Sequence, residues 1–71
     1  MKNSEIINLE VAKKDIGLLK FIFEASEGIG LTSTVDVSTG SVIILTSPEF
    51  KSQVFEVLSS VEDIVDFKIV F

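Results

Sequence analysis

The sequence of 71 residues contains no cysteine and no histidine, and its six basic residues are all lysine. Without cysteine, the chain has neither disulfides nor thiolate metal sites. Without histidine, it lacks imidazole ligands and histidine-based catalysis. A domain this small buries only about 60% of the surface of its unfolded chain, and it usually needs additional stabilisation. The remaining sources of stabilisation are good packing and association with another chain.

Positive charge is also scarce, because eleven acidic residues face six lysines and the net charge is -5. Nucleic-acid binding requires clustered positive charge, and so does binding to anionic lipid surfaces. The longest apolar run, residues 42–45, is far too short to span a membrane. The first ten residues lack the apolar core of a signal peptide. We therefore expect a cytoplasmic protein without nucleic-acid or membrane partners.

Two sequence patterns organise the first half of the chain. Residues 5–11 alternate between apolar and polar, which predicts a half-buried strand. From Asp15 the apolar residues follow a helical period for about three turns, with Asp15 as the N-cap and Gly28 just past the end. Residues 29–36 then predict a second strand, with Leu31 and Val35 on one face.

The second half repeats this organisation. Gly40 sits where a hairpin turn requires a positive φ. Residues 41–46 are apolar on both faces, as in a central strand that is covered on both sides. The sequence SPEF at 47–50 predicts a helix start, with Ser47 as the N-cap and Pro48 at the first helical position, and the helix runs to about residue 61. Residues 64–71 alternate and predict a last strand.

The predicted order is βαββαβ in a single domain, residues 1–71. Right-handed crossovers leave one common solution for this order. It is the ferredoxin-like α+β fold, a four-stranded antiparallel sheet with two helices on one face.

Catalysis finds little support in these residues. A general acid or base would have to be a carboxylate or a lysine, and no histidine is present to activate a serine. Small βαββαβ enzymes that act on acyl phosphates hold the phosphate with a guanidinium group, which the chain lacks. We therefore expect a protein that is not an enzyme and that holds no cofactor or metal.

A candidate ligand site lies where the first strand turns into the first helix. Unpaired N–H groups at a helix N-terminus favour an anion. Lys13 and Lys14 precede this turn, and Gly17 would let a carboxylate or phosphate approach the main chain. In the alternative interpretation, Gly17 only relieves crowding at the corner and the lysines are solvated. Residue chemistry alone favours this alternative.

The stretch DIGLLKFIFEASEGIG, residues 15–30, followed by LTSTVD, looks like the first half of an ACT domain, a small regulatory module that often senses amino acids. The family's D-x-x-G-L-L opening resembles Asp15, Gly17, Leu18 and Leu19, with the glycine one residue early. Its G-I-N-I motif resembles Gly28, Ile29, Gly30 and Leu31, with a glycine in place of the asparagine. Residues 39–49 also resemble the middle of that family. More narrowly, the chain is similar to short stand-alone bacterial proteins of this superfamily that are catalogued as a domain of unknown function.

The resemblance implies a βαββαβ fold, dimers, and an amino-acid-like ligand at the interface. The implied ligand site comprises Lys14, Asp15, Ile16, Gly17 and Leu18, with Gly30 and Leu31 facing them. Backbone N–H groups would hold the ligand's carboxylate, and Asp15 would pair with its ammonium. This is the first functional hypothesis, a sensor of small carboxylates.

The second hypothesis is an interaction module without a small ligand, and it depends on surplus apolar residues. Phe21 and Phe23 widen the apolar arc of the first helix to about 200°, where one buried face needs roughly 100°. Phe55 projects away from the apolar stripe of the second helix. Ile6, Val70 and one face of residues 41–46 lie on the side of the sheet away from the helices. In the alternative interpretation, these aromatic side chains only wrap around the edge of a small core. We expect a homodimer whose interface includes Phe21, Phe23 and Phe55.

Overall fold

Alternating and helical patterns of apolar residues define the elements of the protein, and the computed structural model describes residues 4–26 and 28–70. The strands are β1 (Glu5–Val11), β2 (Leu31–Asp36), β3 (Ser41–Thr46) and β4 (Phe67–Val70), and the helices are α1 (Ile16–Glu24) and α2 (Lys51–Ser60). A short 3-10 turn, Lys13–Asp15, leads into α1. The predicted βαββαβ order is confirmed. Phe71, the last residue of the predicted fourth strand, lies outside the described residues.

The four strands form one antiparallel sheet in the order β2-β3-β1-β4. The hairpin partners β2 and β3 are neighbours, while each helix connects strands that do not pair directly. The two central strands are β3 and β1, and Ile7 lies opposite Ile44 in their register. This topology confirms the ferredoxin-like α+β fold.

One face of the sheet packs against both helices. In β1 and β3, every second residue turns toward this face, as the two-residue period of a strand requires. The shared core contains, from the sheet and then from α1 and α2, Ile7, Leu9, Val11, Val42, Ile44, Leu19, Phe23, Val54 and Leu58. Fully burying such a side chain stabilises the fold by about 1.5–3 kcal/mol. The opposite face of the sheet has no helix against it within the described residues.

The hairpin between β2 and β3 is closed by side chain and main chain together. The carboxylate of Asp36 accepts hydrogen bonds from the hydroxyl and the N–H of Ser38, at 2.7 and 2.9 Å. These two bonds, the hydroxyl first, hold the pKa of Asp36 below its ordinary value. Gly40 has φ +74°, as predicted, and a Cβ there would collide with the carbonyl oxygen of Val11.

The predicted N-cap at Ser47 is wrong, while that at Asp15 is confirmed in position only. Asp15 stands at the N-cap of α1, but its side chain makes no hydrogen bond to an N–H of the helix, because its carboxylate is bound elsewhere. Ser47 and Pro48 belong to a turn that precedes α2, which begins at Lys51. Gly28, in contrast, has φ +78° after α1 and confirms the predicted left-handed residue.

The prediction for residues 41–46 is half confirmed. β3 is a central strand, and its residues Val42, Ile44 and Thr46 are buried under the helices. The other face is not covered within the described chain, because Leu45 is exposed there and Ile43 is only half-buried. Among the described residues, neither helix has the length and apolar character that a bilayer span requires.

Candidate functional site

The strand-to-helix corner is organised around the carboxylate of Asp15. This residue is 7% exposed, and its Oδ2 atom accepts the N–H of Asp66 at 2.9 Å. The ammonium of Lys14 donates to the same oxygen at 3.0 Å. The N–H of Asp66, and then Lys14, hold the pKa of Asp15 below its ordinary value. Asp15 is therefore an ionised link between the β1–α1 and α2–β4 connections.

A shallow cleft of about 260 Å³ opens at this corner. Its polar lining consists of Lys14, Asp15, Glu62, Asp63 and Asp66. Four acidic residues and one lysine thus line the cleft, and the ammonium of that lysine is already paired with Asp15. Such a field disfavours an incoming carboxylate or phosphate. Within the described ranges, these acidic residues are not placed to hold a metal ion.

Gly17 is exposed in the first turn of α1. A Cβ built on it would meet no atom within 4 Å apart from those of the helix backbone and the adjacent residues. The interpretation that Gly17 relieves crowding at the corner is therefore wrong. Neither a positive φ nor a close contact with the described residues requires glycine at this position.

Gly30 and Leu31, the other half of the predicted ligand site, lie at the opposite end of the sheet. Leu31 is opposite Leu45 in β3, and Leu45 is opposite Ile6 near the start of β1. The corner follows Val11, five residues further along β1, which is roughly 17 Å at 3.3–3.4 Å per residue. The structure therefore does not bring the two halves of the predicted site together in one chain.

Gly30 has a packing role. It is buried, and a Cβ there would lie 3.0 Å from Cγ2 of Ile44 and 3.5 Å from Cγ2 of Val54. Both of these side chains are fully buried and have little room to move. The absence of a side chain at Gly30 thus lets α2 approach the sheet.

The three phenylalanines of the predicted interface have different environments. Phe21 is 65% exposed, while Phe23 is 1% exposed and lies in the core. Phe55 is half-buried and packs against the core. The assignment of Phe23 to an interface is wrong, because α1 turns Leu19 and Phe23, four residues apart, toward the sheet.

The strand register assembles an apolar surface on the face of the sheet away from the helices. Leu31, Leu45 and Ile6 form one row across β2, β3 and β1, and Ser33, Ile43, Asn8 and Val70 form the next row across all four strands. We call the apolar members of these rows the open-face cluster: Ile6, Leu31, Ile43, Leu45 and Val70. Leu31 is 69% exposed and Ile6 is 56% exposed.

The open-face cluster is free of charge. None of the seven residues in the two rows is ionisable. The following row contains Glu10 opposite Lys68, and their side chains form an ion pair at 3.5 Å. The same row also contains Asp36, opposite Ser41. The two rows of the open-face cluster are therefore uncharged, although the chain as a whole has a net charge of -5. The sequence indicated Ile6, Val70 and β3 for this face, but it assigned Leu31 to a ligand site.

Comparison with known protein families assigns the chain to a family. The family model described as a domain of unknown function, DUF4911, matches residues 9–65, and the chain belongs to that family. No curated protein and no solved structure matches the chain significantly. The expected relationship to a domain of unknown function is thereby confirmed. The match does not assign an activity to the chain.

Proposed function

We propose that the protein is a non-catalytic module that associates with a second copy of itself through the open face of its sheet. One observation carries the proposal: two adjacent rows of the sheet align five apolar side chains and no charge on a face without a helix. Contiguous exposed apolar patches of this kind mark interaction surfaces in soluble proteins. Depletion of charge at the centre of the patch is the compositional sign of an interface.

The electrostatics favour a second copy as the partner. Two chains of net charge -5 repel each other over most of their surfaces. The repulsion is weakest over the open-face cluster, because its two rows contain no ionisable residue and Glu10 in the next row is paired with Lys68. In a twofold contact the same patch is used by both chains, so the open-face cluster would meet its own copy. Sheets that pack face to face in this way lie about 10 Å apart.

Kinship with ACT domains forms part of the proposal. Its support is the βαββαβ order together with the motifs at Asp15–Leu19 and at residues 28–31. On the basis of this kinship, we propose that the protein has a regulatory role in the cytoplasm of a bacterium. Sensing of an amino acid at the corner stays a prediction. It has less support than self-association, because Asp15 is already bound and carboxylates line the corner.

The test compares Ile6→Lys with Phe21→Lys in sedimentation equilibrium and light scattering over a micromolar concentration series. Each substitution replaces a well-exposed apolar residue, and each changes the net charge from -5 to -4. The overall repulsion falls equally in both variants. We expect the wild type and Phe21→Lys to be dimeric, and Ile6→Lys to be monomeric because its lysines would be buried against each other.

The outcomes are distinct. If Phe21→Lys alone dissociates the dimer, the interface lies on α1, as the second hypothesis from the sequence expects. A wild type that stays monomeric throughout the series would contradict self-association. Far-ultraviolet circular dichroism establishes that both variants retain the fold.

A further inference from the structure

A second cavity lies at the end of the sheet opposite the corner, between the start of β2, the end of β3 and the turn before α2. Its volume is about 450 Å³, within the range of sites for small molecules. The apolar lining includes Ile29, Leu31, Leu45 and Phe50.

One residue that lines this cavity has a polar atom without a partner. Ser47 lines the cavity, and its hydroxyl oxygen is shielded from solvent and makes no hydrogen bond within the described part of the chain. Shielded hydroxyl groups are nearly always hydrogen-bonded in native proteins, so each exception requires an explanation. A ligand that supplies the missing partner is one such explanation, and it requires the Ser47 side chain to rotate about χ1, because its oxygen has almost no accessible surface in the present rotamer.

The walls of the cavity are fixed by their own contacts. The hydroxyl of the buried Thr46, next to Ser47, donates to the carbonyl oxygen of Ile29 at 2.6 Å and joins β3 to the segment before β2. The N–H of Phe50 donates to the carbonyl oxygen of Ser47 at 3.0 Å and closes the turn. The cavity thus lies between segments that are tied together, and its shape does not depend on a ligand.

Charge defines the class of molecule that fits. Glu49 is the only ionisable residue that lines the cavity within the described chain, and it is acidic. The remaining lining is apolar or neutral, so an anionic group would find no cation to pair with. A neutral or cationic polar group would find the hydroxyl of Ser47 and the carboxylate of Glu49.

We propose that this cavity binds a small, mainly apolar molecule with one neutral or cationic hydrogen-bonding group, which contacts the hydroxyl of Ser47 once that side chain rotates toward the cavity. The site does not depend on self-association. Leu31 and Leu45 also belong to the open-face cluster, so the measurement is made on the wild type and on Ile6→Lys, whose substituted residue does not line the cavity.

The experiment is a titration of the ¹⁵N-labelled protein, followed by its amide resonances, with phenethyl alcohol, phenethylamine and phenylacetate. These probes have similar size and differ in the charge of the head group. We expect the alcohol and the amine to shift the amides of Gly30, Leu31, Ser47 and Glu49 saturably, and phenylacetate to bind at least tenfold more weakly. Ser47→Ala would weaken binding of the alcohol roughly twofold to tenfold, as the loss of one hydrogen bond predicts.

Ser60→Ala is the matched control, because this hydroxyl donates to the carbonyl oxygen of Val57 on α2 and does not line the cavity. It should leave the affinity for the alcohol unchanged. Saturable shifts confined to other residues, equal affinity for phenylacetate, no saturable shift with any probe, or unaltered binding by folded Ser47→Ala would each overturn the proposal. Should Ser47→Ala fail to fold, the mapping with the three probes decides alone.

Discussion

The carboxylate of Asp15 accepts the N–H of Asp66 at 2.9 Å, across 51 positions of the chain. The carbonyl oxygen of Asp66 in turn accepts the N–H of Ala12 at 2.9 Å. The main chain of Asp66 is therefore held on both sides by the connection between β1 and α1. This places β4 at the edge of β1, with Phe67 opposite Val11. A residue that sequence motifs assign to a ligand thus helps to fix the sheet.

The link predicts a specific dependence on pH. The pKa of Asp15 is lower in the folded chain than its ordinary value of 3.8, so the unfolded chain binds more protons between these two values. The stabilisation is complete above the ordinary pKa and is lost as the pH falls through the folded pKa. Asp15→Asn should lower the stability at neutral pH and flatten the loss of stability below about pH 4. Denaturant unfolding over a pH series measures both effects.

Asp63→Asn is the control for Asp15→Asn, because it removes the same charge from an exposed residue at the rim of the same cleft. Asp63→Asn should leave the loss of stability below about pH 4 nearly unchanged. If both variants reduce the loss of stability in acid equally, that loss does not report the bond between Asp15 and the N–H of Asp66 in particular.

Gly17→Ala should stabilise the protein. The residue is in α1, and a Cβ there has open space around it. Replacing glycine by alanine in a compatible helical position typically adds about 0.4–1 kcal/mol. For a domain of this size, the melting temperature would rise by a few degrees, roughly 4–8 °C per kcal/mol. A lower melting temperature would indicate that another molecule packs against the bare backbone at Gly17.

Gly40→Ala and Gly28→Ala form a matched pair, since both glycines have a positive φ. A Cβ at Gly28 meets no atom within 4 Å, so Gly28→Ala bears only the conformational strain, about 1–2 kcal/mol. A Cβ at Gly40 also collides with the main chain of Val11, which donates its N–H to the carbonyl oxygen of Gly40 at 2.8 Å. Gly40→Ala should therefore cost clearly more stability in denaturant unfolding. Equal losses would contradict the close contact between the hairpin and β1.

Features with a local physical cause could be predicted from the sequence. The alternation of residues 5–11 and the change of period at Asp15 located β1 and α1 because side-chain periodicity is a property of each segment. Gly28 and Gly40 were likewise predicted to have positive φ from their places after a helix and in a hairpin. The fold then follows from the element order and the handedness of the crossovers.

Features that depend on contacts between distant segments could not be predicted in this way. Asp15 has the short acceptor of an N-cap, but the N–H of Asp66 is a competing partner that no local motif reveals. The position of Leu31 in the open-face cluster depends on the register of three strands. The candidate ligand site was consequently assembled from two ends of the sheet. The open face was only partly foreseen, from Ile6, Val70 and β3.

Phe23 and Phe21 provide the sharpest test of how α1 is oriented. They are two residues apart on one helix, and only Phe23 is in the core. Phe23→Ala should cost about 3–5 kcal/mol, the range for removing a buried phenylalanine ring. That is a large part of the roughly 4–11 kcal/mol expected for a domain of this length. Phe21→Ala should change the stability of the isolated chain by no more than about 0.5 kcal/mol.

Because Phe23→Ala risks unfolding the protein, Phe23→Leu serves as the milder variant, and denaturant unfolding is measured at several protein concentrations. Phe23→Leu should be less stable than the wild type at every concentration, since the lost packing lies within one chain. A loss caused by Phe21→Ala that grows with protein concentration would instead identify an interface on α1. Equal and small effects of both substitutions would contradict the orientation of the helix, because a buried ring and an exposed ring cannot contribute alike.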